Sequence, residues 1–169
     1  MVMTRLKSIT KYLVVLAAAV FISNRIDARQ TVVDGDTLVI GRQRIRLIDI
    51  DAPETGQTCT CKGKQVKCGI EAKNILSNLI GANIVSCKSS GRDLYGRLLA
   101  ECFITKSTDE ISLNRSMVRA GAAVVISKQN EILLQEESTA IRQKKGIWGC
   151  EDFQMPSEFR KSVQNNRSI

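Results

Sequence analysis

Two short segments, VVDGDT at residues 32–37 and RLIDIDAPET at residues 46–55, hold the side chains best suited to chemistry. Oxygen ligands are those that Ca²⁺ prefers, and a strand pair that joins the two segments would bring several carboxylates together. The arrangement predicts a site for a hard divalent cation beside an arginine. The charged residues concerned are Asp34, Asp36, Arg46, Asp51 and Glu54.

The 169-residue chain contains no histidine. Ser-His-Asp, Cys-His and other imidazole-based mechanisms are therefore excluded. Any reaction must use carboxylates, lysine, arginine, tyrosine, cysteine or a metal. The six cysteines lack the paired CxxC spacing of a structural zinc site, so they favour disulfides over zinc.

The first 28 residues have the composition of an export signal. Arg5, Lys7 and Lys11 precede an apolar run of 11 residues at 12–22, which is short for a membrane span. All six cysteines follow this segment, and their even number suits the disulfide framework of an exported protein. We predict a secreted or periplasmic protein, with an uncleaved membrane anchor at residues 1–28 as the alternative.

The formal net charge is +8 for the whole chain and still +5 when residues 1–28 are left out. This surplus favours an anionic partner, either nucleic acid or a membrane surface. With 43% hydrophobic and 25% charged residues, the rest of the chain has a globular composition. We predict one domain at residues 29–150 and a partly disordered surface tail at residues 151–169.

Hydrophobic periodicity predicts an α+β fold. Five short antiparallel strands interrupted by three helices suit an OB-fold-like barrel, with one more short strand at 122–126. In the hairpin formed by the fourth and fifth strands, the register places Cys87 directly opposite Cys102, within disulfide reach. The predicted strands are 30–33, 37–40, 44–50, 83–88 and 97–104, and the helices are 72–80, 112–120 and 130–145.

Taken together, the motifs resemble the staphylococcal-nuclease-like, or thermonuclease, family. The resemblance runs from residue 32 to residue 148 and rests on DGDT, RLIDIDAPE, DLYGRLLA, LNRSMVRAGAAVV and KKGIWG, in the family's order and spacing. It implies a Ca²⁺-dependent endonuclease that hydrolyses phosphodiester bonds in DNA and RNA with little sequence specificity and leaves 3′-phosphates. It also implies a monomer that acts on single-stranded or locally open nucleic acid without an obligate protein partner.

The resemblance assigns the metal ligands by position. Asp36 and Asp51 match the family's calcium-ligating carboxylates, and the backbone carbonyl of Ala52 matches its carbonyl ligand. Asp34 falls where the family has a further acid beside the ligands.

The resemblance also assigns catalytic and substrate-binding roles. Glu54 matches the glutamate that accepts a proton from the attacking water or orients it, while Arg46 and Arg97 match the arginines that hold the scissile phosphate. A guanidinium binds two phosphate oxygens at once and keeps its proton, which suits this role. Tyr95 matches a tyrosine near the bound nucleotide, and its alternative role is packing in the hairpin.

The chain departs from the best-known family member around the nucleotide. Ser127 and Gln129 stand where that member has two tyrosines, and Leu94 replaces a basic residue. Nucleotide affinity and base preference are therefore not carried over, because stacking on such rings contributes about 1–3 kcal/mol per base.

The cysteines are a second departure, because the best-known members need none. If the hairpin bridge forms, Cys68 pairs with Cys59 or Cys61, and the remaining cysteine reaches Cys150. We predict disulfides between Cys59 and Cys68 and between Cys61 and Cys150.

Two other functions are compatible with parts of the sequence. A non-catalytic nucleic-acid-binding module of the same fold is the first alternative, but the retained acids and arginines argue against it. A disulfide-stabilised protein-interaction domain is the second, and it leaves the placement of those residues unexplained.

Overall fold

The computed structural model describes residues 29–166, so the predicted signal or anchor lies outside the described residues. The strands are β1 (Gln30–Val32), β2 (Thr37–Ile40), β3 (Gln43–Leu47), β4 (Ile50–Asp51), β5 (Cys59–Cys61), β6 (Lys64–Val66), β7 (Val85–Arg92), β8 (Leu98–Lys106), β9 (Asp109–Ser112) and β10 (Val124–Val125). The helices are α1 (Cys68–Ile80), α2 (Leu113–Arg119), α3 (Glu131–Arg142) and α4 (Pro156–Asn166), with a 3-10 turn at Gly146–Gly149.

The main sheet joins two antiparallel meanders edge to edge. Its order is β1-β2-β3-β8-β7, and β9 pairs with β8. Strands β3 and β8 run parallel, with Arg46 beside Leu99. A parallel neighbour requires a long connection, which α1 and β7 provide between these strands.

The predicted α+β class is confirmed, but its details need correction. The main sheet has six strands with one parallel pairing, and within residues 29–166 it forms no closed barrel. Four α-helices replace the predicted three, because residues expected to form a tail fold into α4. Short strands outside the main sheet, such as β4 and β10, pair separately.

Helices α1 and α2 cover one face of the sheet and close the core. Ala72, Leu76 and Ile80 lie on one face of α1 and are all buried, as their spacing of four residues predicts. Leu47 from β3 and Met117 from α2 are fully buried in the same core. The rigid packing fixes the strand ends from which the acidic residues project.

Three disulfides reinforce this fold, and they are the predicted pairs. Cys87 and Cys102 are direct partners in the β7–β8 ladder. The other bridges join Cys59 to Cys68 and Cys61 to Cys150. Within the described part of the chain, no helix has the length and apolar content needed to cross a membrane.

Candidate active site

The turn before β2 is fastened to the residue that follows β4. The Ala52 N–H donates to Asp36 Oδ2 at 2.9 Å, which holds the first acidic segment against the second. Gly35 makes this contact possible, because a Cβ there would lie 2.6 Å from the Ala52 Cβ. Asp36 and Asp51 are both buried as a result.

Arg46 projects from β3 between these two aspartates. Its Nη1 donates to Asp36 Oδ1 at 2.6 Å and its Nη2 to Asp51 Oδ1 at 2.7 Å. Burial opposes the charge on Arg46, but Asp36 and then Asp51 outweigh it and raise the pKa of the guanidinium. Arg46 is therefore a fixed cation whose fork is already oriented by two carboxylates.

Burial raises the pKa of Asp36 from 3.8 to about 6. Arg46 and the Ala52 N–H act in the opposite direction, whereas the nearby charges of Asp34 and Asp51 raise the pKa further. The shift is therefore mainly an effect of burial, to which the neighbouring acids add smaller contributions.

Glu54 follows Pro53 and lies at the edge of this acidic cluster. Gly69, in the first turn of α1, packs directly on its backbone, where a Cβ would overlap the Glu54 carbonyl. The Glu54 N–H donates to Gln57 Oε1 at 3.2 Å, and the Gln57 N–H donates back to the Glu54 carbonyl at 2.7 Å. The backbone that carries this carboxylate is thus held from two sides.

Sequence reasoning missed Arg160, which reaches the same carboxylates from α4. Its Nη1 and Nη2 donate to Asp51 Oδ1 and Oδ2 at 3.1 and 2.8 Å, and Nη1 also donates to Glu54 Oε1 at 2.7 Å. The hydrogen bonds to Asp51 and Glu54 raise the pKa of Arg160. No motif surrounds this residue. The Cys61–Cys150 bridge is the only sequence signal that directs the C-terminal segment toward Glu54.

The active-site cluster has more carboxylates than guanidiniums. Two arginines contact three acids, and Asp34 lies beside them and accepts from the Asp36 N–H, so the formal charges leave an excess of two negative charges. Within residues 29–166 no group of three or more acidic, cysteine or histidine side chains is arranged to hold a metal ion. Asp36 and Asp51 are the buried carboxylates that could hold one. Their hard oxygens and the charge excess fit a divalent cation such as Ca²⁺. The cluster consists of Asp34, Asp36, Arg46, Asp51, Glu54 and Arg160.

Arg97 immediately precedes β8, and its side chain pairs with Asp93 rather than with the buried aspartates. Its Nε donates to Asp93 Oδ2 at 2.7 Å. Arg46 pairs with Leu99, two residues beyond Arg97, so the two arginines lie on neighbouring parts of the chain in the sheet. Of the two predicted phosphate ligands, Arg46 lies between the aspartates and Arg97 pairs with Asp93.

The predicted nucleotide-binding positions lie on exposed loops. Tyr95 is 85% exposed, with the Arg97 guanidinium 5.7 Å from its ring centroid, and Leu94 is fully exposed. The Gln129 N–H donates weakly to Ser127 Oγ at 3.4 Å in the loop before α3. The structure thus gives Tyr95 no packing role in the hairpin.

The site geometry agrees with a match to a known family. A sequence model described as "Staphylococcal nuclease homologue" matches residues 44–150, well over half of the chain. This chain belongs to the staphylococcal nuclease family. Arg46, Asp51, Glu54 and Arg97 lie inside the match, whereas Asp36 precedes it and Arg160 follows it.

Individual relatives place the chain within this family. It is 34% identical over 121 residues to "Succinoglycan biosynthesis protein ExoI" of Rhizobium meliloti (strain 1021), covering 70% of this chain and 62% of that protein. It is 33% identical over 127 residues to an "Uncharacterized endonuclease" of Escherichia coli O157:H7, covering 72% and 75%. It is 31% identical over 147 residues to "Micrococcal nuclease" of Shigella flexneri, covering 79% of each chain. Thus the chain spans less than two thirds of the first of these proteins.

Proposed function

We propose that this protein is a Ca²⁺-dependent endonuclease that hydrolyses phosphodiester bonds in DNA and RNA with little sequence specificity. Membership of the nuclease family supports the reaction class, and the printed names of two relatives, an endonuclease and a micrococcal nuclease, agree with it. The basic surplus of the chain favours contact with the phosphate backbone, which carries no base identity.

In the proposed mechanism, Asp36, Asp51 and the Ala52 carbonyl hold the cation. Bound Ca²⁺ would supply Lewis-acid stabilisation of the charge that develops on the phosphate oxygens. Arg46 and Arg97 contact the same phosphate and stabilise the five-coordinate transition state more than the ground state.

Glu54 accepts the proton of the attacking water or orients that water. The water oxygen forms a bond to phosphorus while the bond from phosphorus to the 5′ oxygen breaks, so the products are a 3′-phosphate and a 5′-hydroxyl. The leaving oxygen takes up a proton from solvent. A carboxylate beside a bound cation is suited to this proton transfer at neutral pH.

One observation carries the proposal. A buried aspartate pair is held around a single arginine fork, with contacts of 2.6 and 2.7 Å, and Glu54 lies at its edge in a cluster with two excess negative charges. A structural ion pair would balance its charges, whereas a cation-binding phosphodiesterase site needs this excess.

The test is a cleavage assay with the oxidised protein on single-stranded DNA, duplex DNA and RNA, first in Ca²⁺ and then in chelator. We expect Ca²⁺-dependent cleavage, 3′-phosphate ends by mass spectrometry, and a loss of roughly 10²-fold or more in rate for Glu54→Gln. Glu131→Gln, an exposed change on α3, is the matched control and should keep the wild-type rate.

Other outcomes of the same assay would support different functions. Binding to nucleic acid without cleavage in Ca²⁺ would indicate a non-catalytic module of the same fold. Neither binding nor cleavage would favour a protein-interaction domain. We also propose that the protein acts outside the cytoplasm, because its three disulfides suit an oxidising compartment. A monomer is what the family resemblance implies.

A further inference from the structure

Helix α4 brings a second guanidinium to the acidic cluster from beyond the residues that match the family. Arg160 engages both carboxylate oxygens of Asp51 and one oxygen of Glu54, at 2.7 to 3.1 Å. The family match ends at residue 150, so this contact belongs to a part of the chain outside it.

Several contacts fix the segment that leads into α4. The Cys61–Cys150 bridge ties its start to β5, and Asp152 accepts hydrogen bonds from the backbone and hydroxyl of Thr60. Further along, Gln57 Nε2 donates to the Gln154 carbonyl at 2.6 Å, although Gln57 is itself almost fully buried. These tethers attach to Gln57, Thr60 and Cys61, which follow Glu54 closely in the chain. The approach of Arg160 is therefore built into the fold.

The contact adds less stability than a fully buried ion pair would. The Arg160 side chain is 44% exposed, so water screens its side of the pair, although Asp51 is only 3% exposed. Asp51 Oδ1 also already accepts a hydrogen bond from Arg46. The second guanidinium thus occupies oxygens that burial and Arg46 already hold in place.

Arg160 and a divalent cation compete for Asp51, because Arg46 already contacts Oδ1 and Arg160 takes Oδ2, the oxygen that Arg46 leaves free. Arg160 uses both Asp51 oxygens at once, and its positive charge would repel a cation bound between Asp36 and Asp51. Binding of either one must therefore weaken binding of the other, and this coupling is reciprocal.

We propose that Arg160 is a further residue of the active site, one that competes with the divalent cation for Asp51 and Glu54. The C-terminal helix thereby sets the metal affinity of the site. This inference rests on the proposed function, because it assumes that Asp51 binds the cation.

The deciding experiment is calorimetric titration of Ca²⁺ into the full oxidised chain. For Arg160→Gln we expect Ca²⁺ to bind about tenfold more tightly than to the wild type, as fits the loss of a partly exposed charge-assisted contact. Lys161→Gln removes the same charge from the next position on α4, is exposed, and should leave the Ca²⁺ Kd at the wild-type value. An affinity for Arg160→Gln equal to or weaker than that of this control overturns the proposal.

A second variant protects the test against a folding defect. Arg160→Ala in the full chain also removes the guanidinium but keeps the Cys61–Cys150 bridge and α4, and it should tighten Ca²⁺ binding as much as Arg160→Gln. Adding Asp51→Asn to either variant should abolish binding, which shows that the titrated site is this one. Wild-type affinity in folded Arg160→Ala would contradict the proposal.

The nuclease assay separates this inference from the proposed function. Tighter Ca²⁺ binding by Arg160→Gln without cleavage by any variant supports the competition and rejects the nuclease. Ca²⁺-dependent cleavage with identical affinities in the wild type and Arg160→Gln supports the nuclease and rejects the competition.

Discussion

Two clusters of arginine and carboxylate in this molecule use the same groups to opposite effect. In the helix cluster, Arg115 and Arg119 from α2 both contact Glu136 of α3 at 2.6 Å. Two cations there surround one acid. In the active-site cluster, two arginines contact three acids with Asp34 beside them, and its central carboxylates are almost completely buried.

The pKa values of the central acids shift in opposite directions in the two clusters. Hydrogen bonds from Arg119 and then Arg115 lower the pKa of Glu136 from 4.5 to about 2. Burial raises the pKa of Asp36 to about 6 despite its contact with Arg46. The helix cluster therefore favours the ionised acid and adds stability, whereas the active-site cluster retains a negative charge that a bound cation would balance.

Replacing an arginine by lysine should separate the two clusters most strongly. For Arg46→Lys we expect turnover to fall by roughly 10²-fold, because an ammonium keeps the charge but loses the planar fork that meets two oxygens at once. Arg119→Lys should leave turnover unchanged, since it affects only the contact between α2 and α3. The measurement is kcat on single-stranded DNA in saturating Ca²⁺.

Both lysine variants need a check of their fold. Thermal unfolding with the disulfides intact should show that each protein is fully folded at the assay temperature. Full activity of folded Arg46→Lys would break the distinction between the clusters and remove Arg46 from the proposed mechanism.

The residues of the active-site cluster that lie in motifs could be predicted from the sequence, because each motif ends a strand or a tight turn. Asp36 and Asp51 meet because Gly35 allows the close packing that joins these turns. The Cys87–Cys102 bridge follows from hairpin register in the same way, since its partners lie opposite each other in one ladder. Local pattern was sufficient wherever neighbouring strands carried the residues.

Arg160 could not be predicted by the same route. Its partners Asp51 and Glu54 lie more than 100 residues earlier, and the contact depends on the path fixed by the Cys61–Cys150 bridge. The parallel pairing of β3 with β8 was missed for a similar reason. Long-range packing, rather than a local period, decides both features.

The second prediction concerns how much the helix cluster stabilises the folded protein. For Glu136→Gln we expect a loss of about 1 kcal/mol in the free energy of unfolding at pH 7, a value kept small because both arginines are partly exposed to water. Glu110→Gln is the matched control, since its pair with Lys88 is 51% and 70% exposed and should contribute almost nothing. Urea denaturation of the oxidised proteins measures both changes. Equal stabilities for the two variants would show that the helix cluster is no stronger than an exposed pair.

The smallest expected effect is the pH dependence of the stability difference between the wild type and Glu136→Gln. Because Arg119 and Arg115 lower the pKa of Glu136 to about 2 in the folded protein, its stabilisation is fully present above the unfolded value of 4.5. It should disappear as the pH falls from 4.5 toward 2, where the folded protein also takes up the proton. Urea denaturation of wild type and Glu136→Gln across this range should therefore give converging stabilities. A constant gap down to pH 2 would mean that Glu136 contributes through packing rather than through its charge.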